Sequence, residues 1–361
     1  MSLNDRTRAF WQALSTFGEE RKDGTLAFSL AVPALVGILS MLLLGPTIFR
    51  ETARDWTTYA DAADRLRVGG PLFLSGGQLL YIYPPPLAAV WSLGGSPEVL
   101  LAAKVVALAT LIFVVGLPLG VPAVALLVLT PSLLHDLAIG NIMVLYALGL
   151  AWSALRPGKA GSIALGMVIA LAAKPVLGPY LLWLLIVRRR DFAWTIGAAV
   201  AISLVFAVIL GPSRYFEYLA ALPEAWRFAS NWHGNLGLSF LSPLLGTIGA
   251  VVAYGVALFA ASRREAGLPI VIGALMFAQP AYGVGYGMLL LPAVIYFWRT
   301  KPIVAVVLAA VLPLVIGLSW APLAGVITSI AGFLVGRTQR GTVPEGNAMA
   351  PGSLAPGVDP G

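Results

Sequence analysis

The chain has 361 residues, of which 59% are hydrophobic and only 11% are charged, and its formal net charge is +7. Soluble domains are usually about 45–50% apolar and about 25% charged, so this composition excludes an ordinary soluble enzyme and predicts a membrane protein. The sequence contains no cysteine, which excludes disulfides and thiolate chemistry. Two distant histidines, His135 and His233, do not predict a metal site, and we expect no metal or other cofactor.

The apolar runs predict an all-α, polytopic protein with about 12 transmembrane helices (about 10–13), because several runs approach or exceed the length needed to cross a bilayer, although others are short for a full span. We expect a cytoplasmic segment over 1–25, a single transmembrane domain over 26–336 and a disordered, Pro- and Gly-rich tail over 337–361. The stretch 83–95 begins with prolines and is short, which indicates a re-entrant or interfacial segment. The predicted crossings are 26–48, 98–118, 120–135, 139–155, 160–174, 175–188, 192–210, 243–261, 268–281, 283–298, 302–318 and 319–336.

Basic residues predict the orientation of these crossings. Most of the lysines and arginines, including the run at 188–190, fall on one side of the predicted topology, and that side is cytoplasmic by the positive-inside rule. Both termini are then cytoplasmic in a multi-pass plasma-membrane protein. Two long polar segments, 49–82 and 211–242, fall on the outer face, where we expect the functional site.

The first outer segment resembles a short amphipathic helix lying on the membrane surface. Trp56 and Tyr59 suit the interface, where aromatic rings are enriched. Asp55 at its start is either a helix cap that accepts backbone N–H bonds or a general base at the membrane boundary. Asp61 and Asp64 are typical of a solvated face.

The next polar features are a proline run and two turns. Proline removes backbone donors, so the segment at Tyr83, Pro84 and Pro85 is a stiff entry to the re-entrant segment and a candidate wall of a substrate cavity. At the predicted outer turn, His135 with its neighbouring aspartate is either a polar turn or a proton relay. Asn141 follows at the same turn.

Lys174 precedes a proline within an apolar hairpin, where an ammonium is costly and is a functional candidate by default. It either snorkels to the interface or pairs a phosphate as a point charge. The second outer segment adds four polar candidates beside tryptophans, a combination that suits either a sugar or lipid headgroups: Arg214, Arg227, His233 and Asn235. The sequence contains no nucleotide-binding fingerprint, so we expect no nucleotide as a partner. The basic residues are scattered between apolar runs, so we also expect no nucleic acid.

In this order, the motifs resemble the polyprenol-phosphate-sugar-dependent glycosyltransferases of family 87 in the GT-C superfamily, which include phosphatidylinositol-mannoside α-1,2-mannosyltransferases. The resemblance covers about residues 26–300 and rests on these motifs: Asp-Trp-x-x-Tyr from Asp55, Tyr-Pro-Pro from Tyr83, Gly-Asn-Ile at 140–142, Ala-x-Lys-Pro around Lys174, and an outer segment with Asn235. The family's Gly-Gln-x-Asn motif is altered here, since Asn141 follows the glycine directly and Met143 stands at the second asparagine.

The resemblance implies a GT-C-like membrane enzyme that transfers a hexose, mannose in the best-known members, from a polyprenyl-phosphate donor to a lipid or glycan acceptor. It implies inversion at the sugar carbon, with Asp55 as general base and Lys174, with Arg214 or Arg227, at the donor phosphate. Tyr59, Tyr83, Pro84, Pro85, His135, Asn141, His233 and Asn235 would line the substrate cavity. The alternatives are a lipid or small-solute transporter without catalysis and a non-catalytic scaffold.

Overall fold

The computed structural model describes residues 54–73, 81–111, 131–231, 237–278, 282, 284–317 and 321–340. Every regular element in these ranges is a helix, which confirms the all-α prediction for this part of the chain. The α-helices are α1 (Arg54–Arg67), α2 (Pro85–Ser92), α3 (Pro97–Leu111), α4 (Pro131–Ile139), α5 (Met143–Leu155), α6 (Lys159–Ala172), α7 (Gly178–Val187), α8 (Arg189–Leu210), α9 (Ser213–Asn231), α10 (Pro243–Ser262), α11 (Leu268–Ala274), α12 (Leu291–Thr300), α13 (Pro302–Gly317) and α14 (Ala321–Arg340). Short 3₁₀ helices cover Pro175–Leu177, Leu238–Phe240, Arg264–Gly267, Leu275–Phe277 and Val284–Leu290.

Two of these helices are long and apolar enough to cross a membrane, namely α8 with 22 residues and α10 with 20 residues. A third crossing is added if α2 and α3 form one broken span, and these two helices meet at a bend of 115°. Shorter apolar helices include α5, α6 and the run Pro175–Val187. The composition of these helices indicates membrane association, whereas the predicted number of crossings stays a prediction.

Local chemistry explains where the long elements begin. The Ser96 hydroxyl accepts a hydrogen bond from the Val99 backbone N–H at the start of α3. The Ser242 hydroxyl accepts one from the Leu244 N–H at the start of α10, and a proline occupies the first turn there. Serine at the N-cap and proline just inside it are favoured because the first helical N–H groups lack intrahelical partners.

Small residues allow the helices to cross closely. Helix α11 packs against α14, and α6 packs against both α5 and α8. A Cβ atom on Gly325 of α14 would lie 2.6 Å from the carbonyl oxygen of Gly273 in α11, so neither position has room for a side chain. Close backbone approach at small residues is the packing mode of helices in membranes.

Several predicted boundaries agree with the observed ones and others do not. Helix α14 continues to Arg340, beyond the predicted end of its crossing at 336. The predicted re-entrant segment 83–95 is the short helix α2 and its sharp bend into α3. The predicted cytoplasmic segment 1–25, the predicted crossing 26–48, residues 120–130 and the tail beyond Arg340 lie outside the described residues.

Candidate functional site

Asp55 lies in the first turn of α1 and is half-buried. Its carboxylate accepts a hydrogen bond from the side-chain amide of Asn141, which comes from the turn between α4 and α5. The Asn141 side-chain oxygen in turn accepts the Ile142 backbone N–H at 2.7 Å. Because that bond fixes which end of the amide faces inward, the Asn141 NH₂ group is directed at the Asp55 carboxylate.

Gly140 makes this approach possible. Its backbone has a φ of +77°, a conformation that residues with a side chain rarely adopt, and a Cβ atom there would lie 3.1 Å from the Cβ of Trp56. The turn therefore rests directly on the start of α1. Glycine is the residue that adopts such a conformation without steric cost.

The prediction that His135 and its neighbour Asp136 lie in a turn is wrong. Both belong to helix α4, which ends at Ile139, and both are buried. The helix continues past them because the turn is delayed until Gly140 supplies the positive φ. His135 packs beside Gly285 of the Val284–Leu290 helix, and its Nδ1 has no hydrogen-bond partner among the described residues.

A buried ion pair supports the same turn. The Lys104 ammonium of α3 lies 3.1 Å from one carboxylate oxygen of Asp136 and donates to the Asp136 backbone carbonyl at 2.6 Å. The other carboxylate oxygen of Asp136 accepts the Met143 N–H at the start of α5 at 2.8 Å. Asp136 thus joins α3, α4 and α5 around the turn that carries Asn141.

The proline run is fixed by a tyrosine hydroxyl. Tyr81 donates to the Pro84 carbonyl at 2.9 Å and accepts the Ala88 N–H at 2.9 Å. Pro84 and Pro85 are buried, and Pro85 begins α2. The backbone on both sides of Tyr83 is therefore held in place, as expected of a stiff wall.

Tyr59 and Tyr83 meet beside Asp55. Their hydroxyls are 3.3 Å apart and their ring centroids 5.3 Å apart in an edge-to-face arrangement. Burial raises the pKa of Tyr59 well above its usual value, and the neighbouring Tyr83 and Asp55 side chains add to this rise. Both phenols therefore stay protonated at neutral pH and act as neutral hydrogen-bonding groups.

Lys174 lies in the break between α6 and the Pro175–Leu177 helix, in an extended conformation with φ −123° and ψ 132°. Its ammonium donates to the Tyr286 hydroxyl at 3.0 Å and is 3.6 Å from the Met143 sulfur. It also lies 5.1 Å from the ring centroid of Tyr83, 5.7 Å from that of Tyr146 and 4.7 Å from that of Tyr286.

Aromatic rings, rather than a carboxylate, surround this cation. Within the described part of the chain, no carboxylate oxygen lies at salt-bridge distance from Lys174. The Tyr146 hydroxyl beside it is buried and has no hydrogen-bond partner in the same ranges. An ammonium with one spare donor next to an unpaired hydroxyl is suited to bind an anion.

Tyr83 connects the surroundings of Asp55 and Lys174. Its hydroxyl contacts that of Tyr59, which lies one turn after Asp55 on α1, and its ring lies 5.1 Å from the Lys174 ammonium. Burial raises the pKa of Tyr83 to about 12, while the Lys174 ammonium opposes this rise and the Asp55 carboxylate adds to it. We call Tyr59, Tyr83, Tyr146 and Tyr286 the tyrosine cluster.

A cleft of about 180 Å³ adjoins the Asp55–Asn141 pair. Its wall includes Trp56 and Gly140, which are the chain neighbours of Asp55 and Asn141. Most of the remaining lining is apolar and comes from α3 and α4: Leu100, Leu101, Leu137 and Ala138. Lys104 supplies the charged side chain of this lining.

The other predicted residues lie elsewhere. Arg214 donates to the carbonyls of Gly70 at 2.9 Å and Gly69 at 3.2 Å and pairs with Glu217, so its guanidinium is engaged at the C-terminal end of α1. Arg227 is exposed on α9. His233 and Asn235 lie outside the described residues. Their predicted contacts with a substrate stay predictions.

Three groups of the site were missed by sequence reasoning. Tyr146 and Tyr286 lie in apolar runs, where a tyrosine resembles an ordinary core residue. Lys104 had a signal, because a lysine inside the predicted crossing 98–118 is as costly as Lys174 and demands a partner for the same reason. Its partner Asp136 is distant in sequence and is identified only by the fold.

No protein-family model, curated protein or solved structure matches this chain. The interpretation of the site therefore depends on its geometry and on the chemistry of its residues.

Proposed function

We propose that the protein is a membrane glycosyltransferase that transfers a hexose from a polyprenyl-phosphate donor to a lipid or glycan acceptor. The resemblance to family 87 favours mannose as the hexose. What supports the proposal is one arrangement. Asp55 is held by the Asn141 amide and lies one turn before Tyr59, whose hydroxyl contacts that of Tyr83, and the Lys174 ammonium, without a carboxylate partner in the described ranges, lies over the Tyr83 ring. Such a pair offers a proton acceptor and an anion site within one cluster.

In the proposed reaction, Asp55 takes the proton of the acceptor hydroxyl as that oxygen attacks the anomeric carbon of the sugar. The new bond joins this carbon to the acceptor oxygen, and the bond from the carbon to the phosphate oxygen breaks. The electron pair leaves with the polyprenyl phosphate, whose charge Lys174 stabilises. Attack opposite the leaving group inverts the sugar carbon, as in inverting glycoside hydrolysis.

The roles of the neighbouring groups follow from their contacts. The Asn141 amide holds the Asp55 carboxylate in one orientation, which suits a general base that must reach a hydroxyl at hydrogen-bond distance. Tyr286 and Tyr146 place hydroxyls beside Lys174, where they would donate to phosphate oxygens. Interactions that are in place before the charge develops contribute most to such stabilisation.

The proposal includes the topology. We assign the protein to the plasma membrane as a multi-pass protein of about 12 crossings, with a GT-C-like fold, cytoplasmic termini and the site on the outer face. The excess of arginine in the predicted inner loops supports this orientation, since basic residues concentrate on the cytoplasmic side.

The test measures sugar transfer in membranes from cells that express the full chain, after addition of radiolabelled polyprenyl-phosphate mannose. Asp55→Asn should lower transfer by about 10²–10⁴-fold, which is the usual contribution of a general base. Asp61→Asn is the matched control, because Asp61 lies on the same helix and is exposed, and it should transfer at the wild-type rate. Equal rates for wild type and Asp55→Asn would exclude Asp55 as the base.

The second variant separates donor binding from chemistry. Lys174→Gln should raise the donor concentration needed for half-maximal transfer, whereas Lys301→Gln, at an exposed lysine, should not. If the purified protein instead moves polyprenyl phosphate between the leaflets of a vesicle and transfers no sugar, the protein is a transporter and the proposal is wrong.

A further inference from the structure

In the chain, helix α9 lies between α8 and α10, the two described helices that are long and apolar enough to cross a membrane. It follows α8 after a turn at Gly211, whose φ is +86°, and the short Leu238–Phe240 helix precedes α10. Helix α9 contains four charged residues and is not among the described helices that are long and apolar enough to cross a membrane. It contacts both α8 and the Leu238–Phe240 helix that leads into α10. A helix of mixed polarity beside membrane-spanning helices is suited to the membrane surface rather than to its interior.

One side of α9 packs against the protein. Arg214 donates to the carbonyls of Gly69 and Gly70 at the end of α1. The Tyr218 ring lies 5.7 Å from that of Phe73, which follows α1 in the chain. This side of α9 is thus attached to the helix that carries Asp55.

The other side of α9 is apolar and uncovered. Phe216 is 69% exposed and Leu219 is 57% exposed. Their spacing of three residues places them along one side of the helix. The last turn of α8, which precedes α9 in the chain, also exposes Val208 and Ile209. Water contact with such a surface is unfavourable by about 25 cal/mol per Å².

We propose that α9 is an interfacial helix that inserts Phe216 and Leu219 into the phospholipid leaflet at the end of α8 and the start of α10. Amphipathic helices bind in this way with their apolar side at the boundary of headgroups and acyl chains. The bonds from Arg214 to Gly69 and Gly70 then fix the end of α1 at a defined depth. Helix α9 thereby sets the height of Asp55 relative to the lipid surface.

The natural absence of cysteine allows a direct test on the full chain. Single-cysteine variants at Phe216, Leu219 and Glu224 are spin-labelled and reconstituted in vesicles of phosphatidylcholine and phosphatidylglycerol, and collisions with oxygen and with a water-soluble nickel chelate are measured. Labels at 216 and 219 should show an oxygen-to-nickel ratio close to that at Val208→Cys. This ratio should be several-fold above that at Glu224→Cys, because Glu224 is exposed and charged.

Two results would overturn the lipid assignment. Ratios at 216 and 219 equal to that at 224 would place this side in water, and low collision rates with both reagents would show that protein covers it. The measurement requires no sugar transfer, so its failure is separate from failure of the proposed activity.

A second arm tests the link through Arg214. In a chain labelled at Asp61→Cys on α1, Arg214→Gln should increase the mobility of the spin label, because both carbonyl bonds are lost. Arg227→Gln on the same helix is the control and should leave the spectrum unchanged, since Arg227 is exposed. An unchanged spectrum for Arg214→Gln would disprove the link between α9 and α1.

Discussion

The buried ion pair between Lys104 and Asp136 makes the sharpest prediction about folding. The Lys104 side chain is 2% exposed and that of Asp136 is 0% exposed, so removal of either charge leaves the other without water or a counter-ion. Breaking a buried pair in this way costs about 3–5 kcal/mol. We therefore expect Lys104→Met to lower the free energy of unfolding by about 3–5 kcal/mol.

The neutral double variant distinguishes the charge from the packing. In Lys104→Met with Asp136→Asn, no buried charge is left unpaired, and the amide oxygen introduced by the second substitution can still accept the Met143 N–H. The double variant should therefore be more stable than the sum of the single effects predicts. The expected coupling energy is about 0.5–3 kcal/mol for residues in contact.

Equilibrium unfolding in mixed micelles, with increasing SDS and far-UV circular dichroism as readout, measures these differences. Lys301→Met replaces an exposed lysine and should stay within about 0.5 kcal/mol of wild type. The reasoning would be refuted if Lys104→Met matched this control, or if the double variant lost the full sum of both single variants.

Three further predictions concern the turn at Gly140 and the tyrosine cluster. Gly140→Ala should cost about 1–2 kcal/mol of stability in the same assay, because its left-handed backbone disfavours a Cβ atom; Gly197→Ala, where a Cβ meets nothing within 4 Å, should be neutral or stabilising. Asn141→Leu should lower transfer by about 10- to 100-fold, because a hydrogen bond to a charged group contributes about 1.5–3 kcal/mol; unchanged transfer would show that the Asn141 amide does not assist Asp55. Tyr146→Phe should keep stability within about 0.5 kcal/mol but raise the donor concentration for half-maximal transfer, and an unchanged value would exclude the hydroxyl from the donor site.

Sequence patterns predicted the helices better than the contacts between them. The cluster of polar residues after Arg54 and the run of prolines after Tyr83 predicted a short helix and a stiff segment, and both exist. The start of α5 was harder to predict, because apolar residues flank the turn on both sides and hydrophobic periodicity alone does not locate a helix boundary there. His135 was assigned to the wrong element for this reason.

The pairing of charges was the part that a single sequence does not contain. Lys104 and Asp136 are 32 positions apart, and Lys174 and Tyr286 are 112 positions apart. Such contacts arise from helix packing, which many sequences of similar hydropathy would satisfy differently. Residue chemistry identified Asp55 and Lys174 as candidates, whereas the tyrosines that surround the lysine became recognisable only in three dimensions.

The Lys174–Pro175 step has a consequence for how tightly an anion would bind. A residue before proline is restricted to extended conformations, and the proline supplies no N–H to continue α6. The backbone under the lysine is thereby preorganised by covalent structure, whether or not a ligand is present. Little ordering entropy is therefore lost when an anion binds. We expect the affinity of this anion site to change in evolution by replacement of the surrounding tyrosines, with Lys174 and Pro175 retained.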